Sequence, residues 1–195
     1  MTRLTLPVLF LMLVPSLAAG TTVVKIDLAT MTHASHVIVH GEVVSVTPVA
    51  VGGNERHIRT DVVIRVLDLL KGPRGLRTLT LQLPGGKLGA WAMQIPGMPG
   101  FIAGEEVVLF LENTRANYAL TGLSQGKFSV RTDPDGVKRV KRHLDGIHFV
   151  AWDKKGRFGP AVFPREDPSQ TLKGLIAEVR TVLSPGAVRP LRPAK

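Results

Sequence analysis

Three stretches of this sequence bring side chains with chemical potential close together. Gly122 to Gly126, GLSQG, has the GxSxG outline of a nucleophile elbow, in which a strained strand-to-helix turn would expose the Ser124 hydroxyl to a base. An elbow needs a helix after the serine. Here the strand-like GKFSV follows, so a turn between two strands is favoured over a serine hydrolase using Ser124. The second stretch holds His33, His36 and His40. On a strand His36 and His40 share a face, and Glu42 or His57 could supply a third metal ligand. No HExxH spacing supports this, and solvated imidazoles are the commoner outcome, so no metal site is assigned. The third stretch, LPGGKLGAW, is rich in glycine ahead of Lys87. A phosphate-binding GxxxxGK[ST] loop would require glycine at 81 and Ser or Thr at 88, where the chain has Leu81 and Leu88. No helix follows to direct its amides at a phosphate. Cysteine is absent altogether, which removes thiolate nucleophiles, cysteine zinc sites and iron–sulfur clusters. No cofactor is expected, and the chain does not read as an enzyme.

Two features point instead to binding. The segment from Leu83 to Phe101 sets Trp91, Met93, Met98 and Phe101 among glycines and prolines. They are expected either to cap the open end of a barrel or to form a partner-binding lip, since long connections in compact domains tend to be functional. The stretch from Gly126 to His143 carries Lys127, Arg131, Lys138, Arg139, Lys141 and Arg142 around an AspProAspGly turn. These are candidate anion-binding residues, weighed against a solvated edge hairpin protected from aggregation by its lysines. The formal net charge of +10 favours the same class of anionic partner, an envelope polymer or lipid headgroups. Specific nucleic-acid binding is not expected of an exported chain.

The elements that must position these residues are mostly strands. VKIDLATMTHAS, Val24 to Ser35, reads as a short helix with Asp27 and Ser35 suited to its ends. HVIVHGEVVSV then alternates, placing Val37, Val39, Gly41 and Val43 on one face. A turn cluster over Thr47 to Arg56 leads to a second strand with Val62, Ile64 and Val66 aligned, and the two suggest a hairpin. Leu79, Leu81 and Leu83 mark a third strand. Val107 to Leu111 is a continuous apolar run expected to be buried on both faces, with Tyr118 to Leu123 paired to it across ThrArgAlaAsn. Trp152, Phe158 and Phe163 fall in irregular sequence. Asp167 or Ser169 then caps an expected helix that buries Leu172, Leu175, Ile176, Val179 and Leu183.

No helix separates successive strands from His36 to Arg142. The expected fold is therefore mainly β, a small antiparallel barrel or sandwich with a short N-terminal helix and a C-terminal helix. The first residues, MTRLTLPVLFLMLVPSLAAG, have one basic residue, an apolar run and a small-residue end, the layout of a secretory signal peptide. Residues 1–18 are assigned to it, with cleavage after 20 as the alternative. Residues 21–150 form the β-barrel domain, 151–183 a C-terminal extension ending in a helix packed on the barrel, and 184–195 a flexible basic tail. The mature chain is expected in the periplasm or outside the cell, with no transmembrane segment after cleavage.

The order SHVIVHGEVVSV, VIRVLDLLKG, LTLQLPGG, GMPGFIAGEEVVLFL and YALTGLSQGKFSV, over His36 to Val130, resembles a group of uncharacterised exported bacterial proteins. Their core is similar to the oligonucleotide/oligosaccharide-binding (OB) barrel in the form used by netrin-like domains and tissue inhibitors of metalloproteinases. The resemblance implies an OB-like barrel. Inhibitors of that family chelate the protease zinc through a mature N-terminal cysteine, and with no cysteine here that mechanism does not carry over. The leading functional expectation is an exported, non-enzymatic binding or scaffold domain. A protease inhibitor or protease-associated module working through the Gly/Pro/Met segment is the alternative.

Overall fold

The computed structural model describes residues 21–114, 117–144, 147–150, 159 and 170–185. The expected signal segment, Trp152, Phe158, Phe163, Asp167, Ser169 and the tail beyond Pro185 lie outside the described residues. Strand β1 (Thr21–Val24) leads to helix α1 (Leu28–Ala34). Asp27 caps the helix by accepting from the Thr30 amide at 2.7 Å, and the Ser35 hydroxyl closes it by donating to the Met31 carbonyl at 2.8 Å. The helix starts later than the expected Val24 because residues up to that point pair in parallel with Ile147–Val150. Strands β2 (Val37–Val51) and β3 (Asn54–Lys71) make one long hairpin. Its turn is shorter than expected. Gly52 and Gly53 alone form it, with φ of 62° and 74°, the left-handed pair that a type I′ turn demands.

Strand β4 (Thr78–Pro84) follows, and then β5 (Gly86–Leu88) and β6 (Trp91–Met93) form a small hairpin inside the long connection expected there. The remaining elements are β7 (Glu106–Asn113), β8 (Tyr118–Leu120), a 3₁₀ turn (Leu123–Gly126), β9 (Lys127–Thr132), β10 (Lys138–Lys141), β11 (Ile147–Val150), β12 (Gln170–Thr171) and α2 (Leu172–Leu183). The cap of α2 is Thr171, whose hydroxyl accepts from the Gly174 amide at 3.0 Å. Pairing of Gln170 and Thr171 with β10 delays the helix start past the expected Asp167 or Ser169.

Five strands close into an OB-like barrel in the order β7, β2, β3, β4, β8 and back to β7. Four of the pairings are antiparallel, while β4 and β8 run parallel and meet at the single pair Leu81 and Tyr118. The sheet also continues outward from β7 through β9, β10 and β12. Strand β7 explains why its sequence is apolar without alternation. Val107, Leu109 and Leu111 face the barrel interior with Val39, Val43, Ile64 and Leu81, whereas Val108 and Phe110 face a second core. That second core is built by Met31 of α1 and by Leu172, Leu175 and Val179 of α2, with Phe128 tilted against Phe110 at 5.6 Å between ring centres. Burying each large side chain contributes about 1.5–3 kcal/mol, so α1 and α2 are fixed to the outside of the barrel by apolar area. Among the described residues no helix is long and apolar enough to cross a membrane.

Candidate functional site

The glycines of LPGGK serve close packing. Hairpin β5–β6 lies over the Ile58–Thr60 part of β3, and a Cβ on Gly86 would sit 2.4 Å from Thr60 Oγ1 and 3.1 Å from Ile58 Cγ2. The Thr60 hydroxyl donates to the Gly85 carbonyl at 2.7 Å, fixing the approach. Trp91 and Met93, two residues apart on β6, share a strand face. The guanidinium of Arg56 stacks on Trp91 at 4.8 Å, and Trp91 remains 41 % exposed. The four apolar residues of this segment therefore divide. Met98 and Phe101 pack on the barrel core, while Trp91 stays at the surface and Met93 lines a groove.

The Met98–Phe101 end is held by a buried lysine. Lys127, 5 % exposed, donates to the Gly100 carbonyl at 2.6 Å and to Glu105 at 2.9 Å, with its ammonium 4.3 Å from the centre of the Phe101 ring. Glu105 also accepts from the Ser129 hydroxyl and, at 3.3 Å, from the Ile102 amide. Burial depresses the pKa of Lys127, and Glu105 opposes that shift without cancelling it.

A groove of about 640 Å³ opens on the outer face of β3 and β4, beside the turn between β2 and β3 and the corner between β7 and β8. Its apolar lining comes from Val51, Ile58, Pro84, Met93 and Tyr118, the last of which also packs against the barrel core. Its polar lining comes from His57, Arg59, Gln82, Thr114 and Asn117. Arg59 is engaged twice by Asp61, Nε to Oδ1 at 2.8 Å and Nη2 to Oδ2 at 3.2 Å. The Asn117 amide donates to Gln82 Oε1, bridging the corner to β4. Thr114 shapes the corner, its hydroxyl donating to the Asn117 carbonyl at 2.8 Å and accepting from the Asn117 amide at 3.0 Å. Of these residues the sequence reading singled out only Met93 and His57. The available signal was the alternation of LTLQL, which puts Gln82 on the outer face with Thr78 and Thr80 opposite the inward leucines.

The basic hairpin forms as β9 and β10, but its cations do not make one open patch. Lys127 points inward. Lys138 pairs with Glu106 and Arg139 with Asp133, at 2.8 and 2.6 Å. Arg142 lies over the Phe128 ring at 5.1 Å, and Lys141, though exposed, has a partner of its own. Arg131 is exposed, directly across the ladder from Arg139. Glu106 also receives His40 Nε2 at 2.6 Å. Burial acts to raise the Glu106 pKa, but hydrogen bonds and charge attraction from Lys138 and His40 outweigh it and hold the carboxyl below its ordinary 4.5.

The other sequence candidates are separated. Glu42 is taken by Arg65 at 2.6 Å, and His36 Nδ1 faces the Asn113 amide, away from His40 and its carboxylate. Among the described residues no three His, Asp or Glu side chains come together as a metal cage. Ser124 is 3 % exposed, its hydroxyl meets no hydrogen-bond partner among the described residues, and β9 follows it directly. Within GLSQG it is Gln125 that anchors structure, accepting from the Ile26 amide at 2.9 Å and donating to the Val24 carbonyl at 3.0 Å.

Family models, curated proteins and solved structures compared with this chain give no match. The barrel and its groove are thus the basis for a functional reading.

Proposed function

We propose that this chain is an exported, non-enzymatic binding domain whose ligand enters the groove on β3 and β4. The observation that carries this reading is the position of the groove. In OB barrels the second and third strands, with the loops after the first and fourth, form the ligand-binding face. By barrel order β3 and β4 are those strands, the Gly52–Gly53 turn follows the first, and the Thr114–Asn117 corner follows the fourth. A mixed lining of apolar side chains with a few polar groups suits a small-molecule or oligomer site. The motif order over His36 to Val130 supports kinship with the exported bacterial proteins and netrin-like barrels it resembles, and the signal-like N-terminal segment supports a periplasmic or extracellular location.

The test is a mixed-fragment screen of purified mature protein by NMR. Shift changes clustered on Gln82, Asn117 and Tyr118 are expected. No changes, or changes clustered elsewhere, overturn the assignment of the groove.

A second reading, a protease-associated module, is favoured by one observation: Ile102 is 74 % exposed on the same segment as Trp91. Exposed apolar side chains on a connection held rigid at its base suit contact with another exported protein. Inhibition within a metalloprotease panel that is lost in Ile102→Ser would support it, and absence of any inhibition would remove it. The basic β9–β10 hairpin remains the proposed contact for an anionic envelope polymer only through Arg131 and its immediate surroundings, because its other cations are partnered.

A further inference from the structure

We propose that a second site, between α2 and β10, takes a free fatty acid, a single acyl chain ending in a carboxylate. It lies apart from the groove on β3 and β4 and does not depend on that reading. A hollow of about 570 Å³ runs between α2, the start of β10 and the C-terminal end of β3. That falls within the range of about 300–1,000 Å³ usual for small-ligand sites. Its apolar floor comes from the width of the helix's apolar arc. The stripe Leu172, Leu175 and Val179 is buried in the second core, but α2 stays apolar one step round, at half-buried Ile176 and exposed Ala177. Val137, just ahead of β10, lines the same hollow and is 37 % exposed.

The floor has little to offer a polar ligand. Its apolar members are Val137, Leu172, Ile176 and Ala177. Thr171 supplies the one hydroxyl among the described lining residues, and that oxygen is already engaged by the Gly174 amide as the helix cap. A peptide, a sugar or a nucleotide would bring polar groups along its length that such a floor leaves unpaired. An alkyl chain brings none.

Charge on the rim selects the end group of that chain. Lys138, Lys173 and Arg180 stand there against Asp68. Arg180 is held by Asp68 and Lys138 by Glu106, each at 2.8 Å. Lys173 is exposed and has no anionic partner among the described residues. One uncommitted cation matches one negative charge, which suits a carboxylate better than a phosphate dianion. The register gives the direction. Thr171 lies across from Arg139, so Lys138 and Lys173 flank the start of α2, while Arg180 stands seven residues past Lys173, about 10 Å along the helix axis. The carboxylate meets Lys173, and the chain runs past Ile176 and Ala177 toward the Arg180–Asp68 pair.

The test uses mature protein with ¹³C-labelled isoleucine δ1-methyl groups, the Ile176 signal being assigned from its loss in Ile176→Val. It is titrated near neutral pH with octanoate, decanoate and dodecanoate below their micellar concentrations. We expect a saturable shift of Ile176, with affinity rising about three- to four-fold per added methylene until the hollow is full. Lys173→Gln, at an exposed position, should keep the fold and weaken dodecanoate about three- to five-fold. Dodecyltrimethylammonium binding at Ile176 as tightly as dodecanoate, or a Lys173→Gln variant with unchanged affinity, overturns the carboxylate. Equal affinity for octanoate and dodecanoate overturns the acyl chain. An Ile176 signal moved by phosphatidylglycerol vesicles and not by the free acids makes this face a membrane contact and overturns the site. Shifts confined to other isoleucines, such as Ile58 in the β3–β4 groove, overturn the location, and no saturable response overturns the inference outright. In each case the β3–β4 groove is judged by its own fragment screen.

Discussion

Replacing Lys127 with Met tests whether the Gly/Pro/Met segment is fastened to the barrel by a buried charge. Methionine fills much of the aliphatic volume of the lysine stem, so the lost interaction is chiefly that of the ammonium. The Gly100 carbonyl loses its 2.6 Å donor, and Glu105, with its side chain 16 % exposed, is left in its pocket without the cation it pairs with. Removing one partner from a largely buried ion pair costs about 3–5 kcal/mol. Glu105 keeps the Ser129 hydroxyl and the Ile102 amide, which places the expectation near the lower limit, about 3 kcal/mol. For a domain of this size that lowers Tm by about 6–12 °C. Glu105→Gln keeps one oxygen to accept from the Ile102 amide and can turn its NH2 to donate to the Ser129 hydroxyl, while stranding the ammonium. The double variant Lys127→Met/Glu105→Gln removes both charges, and we expect it to lie within about 1.5 kcal/mol of wild type, because an apolar or neutral replacement of a buried pair is close to isoenergetic. The assay is urea denaturation across the four-member cycle. A Lys127→Met variant within about 0.5 kcal/mol of wild type, or single-variant costs that simply add in the double, would refute the fastening.

Two further outcomes follow from the same structure. Gly86→Ala places a methyl group against Thr60 Oγ1 at a φ of 139°, and should cost about 2–4 kcal/mol through backbone strain and loss of the Thr60 hydrogen bond; Gly89→Ala meets nothing within 4 Å and should cost about 1 kcal/mol, and equal costs in chemical denaturation would contradict the hairpin's close approach to β3. Glu106 titrates lower in the folded chain than its unfolded 4.5, so the unfolded state binds more protons in that window. Its contribution is therefore present above pH 4.5 and lost as pH falls through the lower folded value. Melting temperatures measured from pH 6 to pH 3 should show a shallower acid decline in Glu106→Gln, and an unchanged slope would remove His40 and Lys138 as its stabilisers.

The barrel was legible because its strands advertise their faces. Leu79, Leu81 and Leu83 alternate, β7 is apolar on both faces because α1 and α2 cover its outside, and both helix faces carry the apolar residues that do so. The site was much less so. Hairpin β5–β6 has arms of three residues, too short for a period to emerge, and its glycines answer to Thr60 and Ile58 on another strand. Lys127 looked like part of a solvated basic arm, and only the distant Gly100 and Glu105 make an inward ammonium tolerable. Gln82 and Asn117 are 35 positions apart, and the parallel contact that unites them has no local signature.

The parallel contact between β4 and β8 is one residue pair wide, and Gln82, Asn117 and Tyr118 stand at that seam. The wall of the groove is also the place where the cylinder is closed most sparingly. A molecule bound there as proposed would touch both margins and act as a clasp, so that occupancy and closure would become linked equilibria. At a ligand concentration 100-fold above Kd such linkage adds about 2.7 kcal/mol to resistance against unfolding. The chain would then register its ligand as rigidity, staying easiest to open where the ligand is scarce.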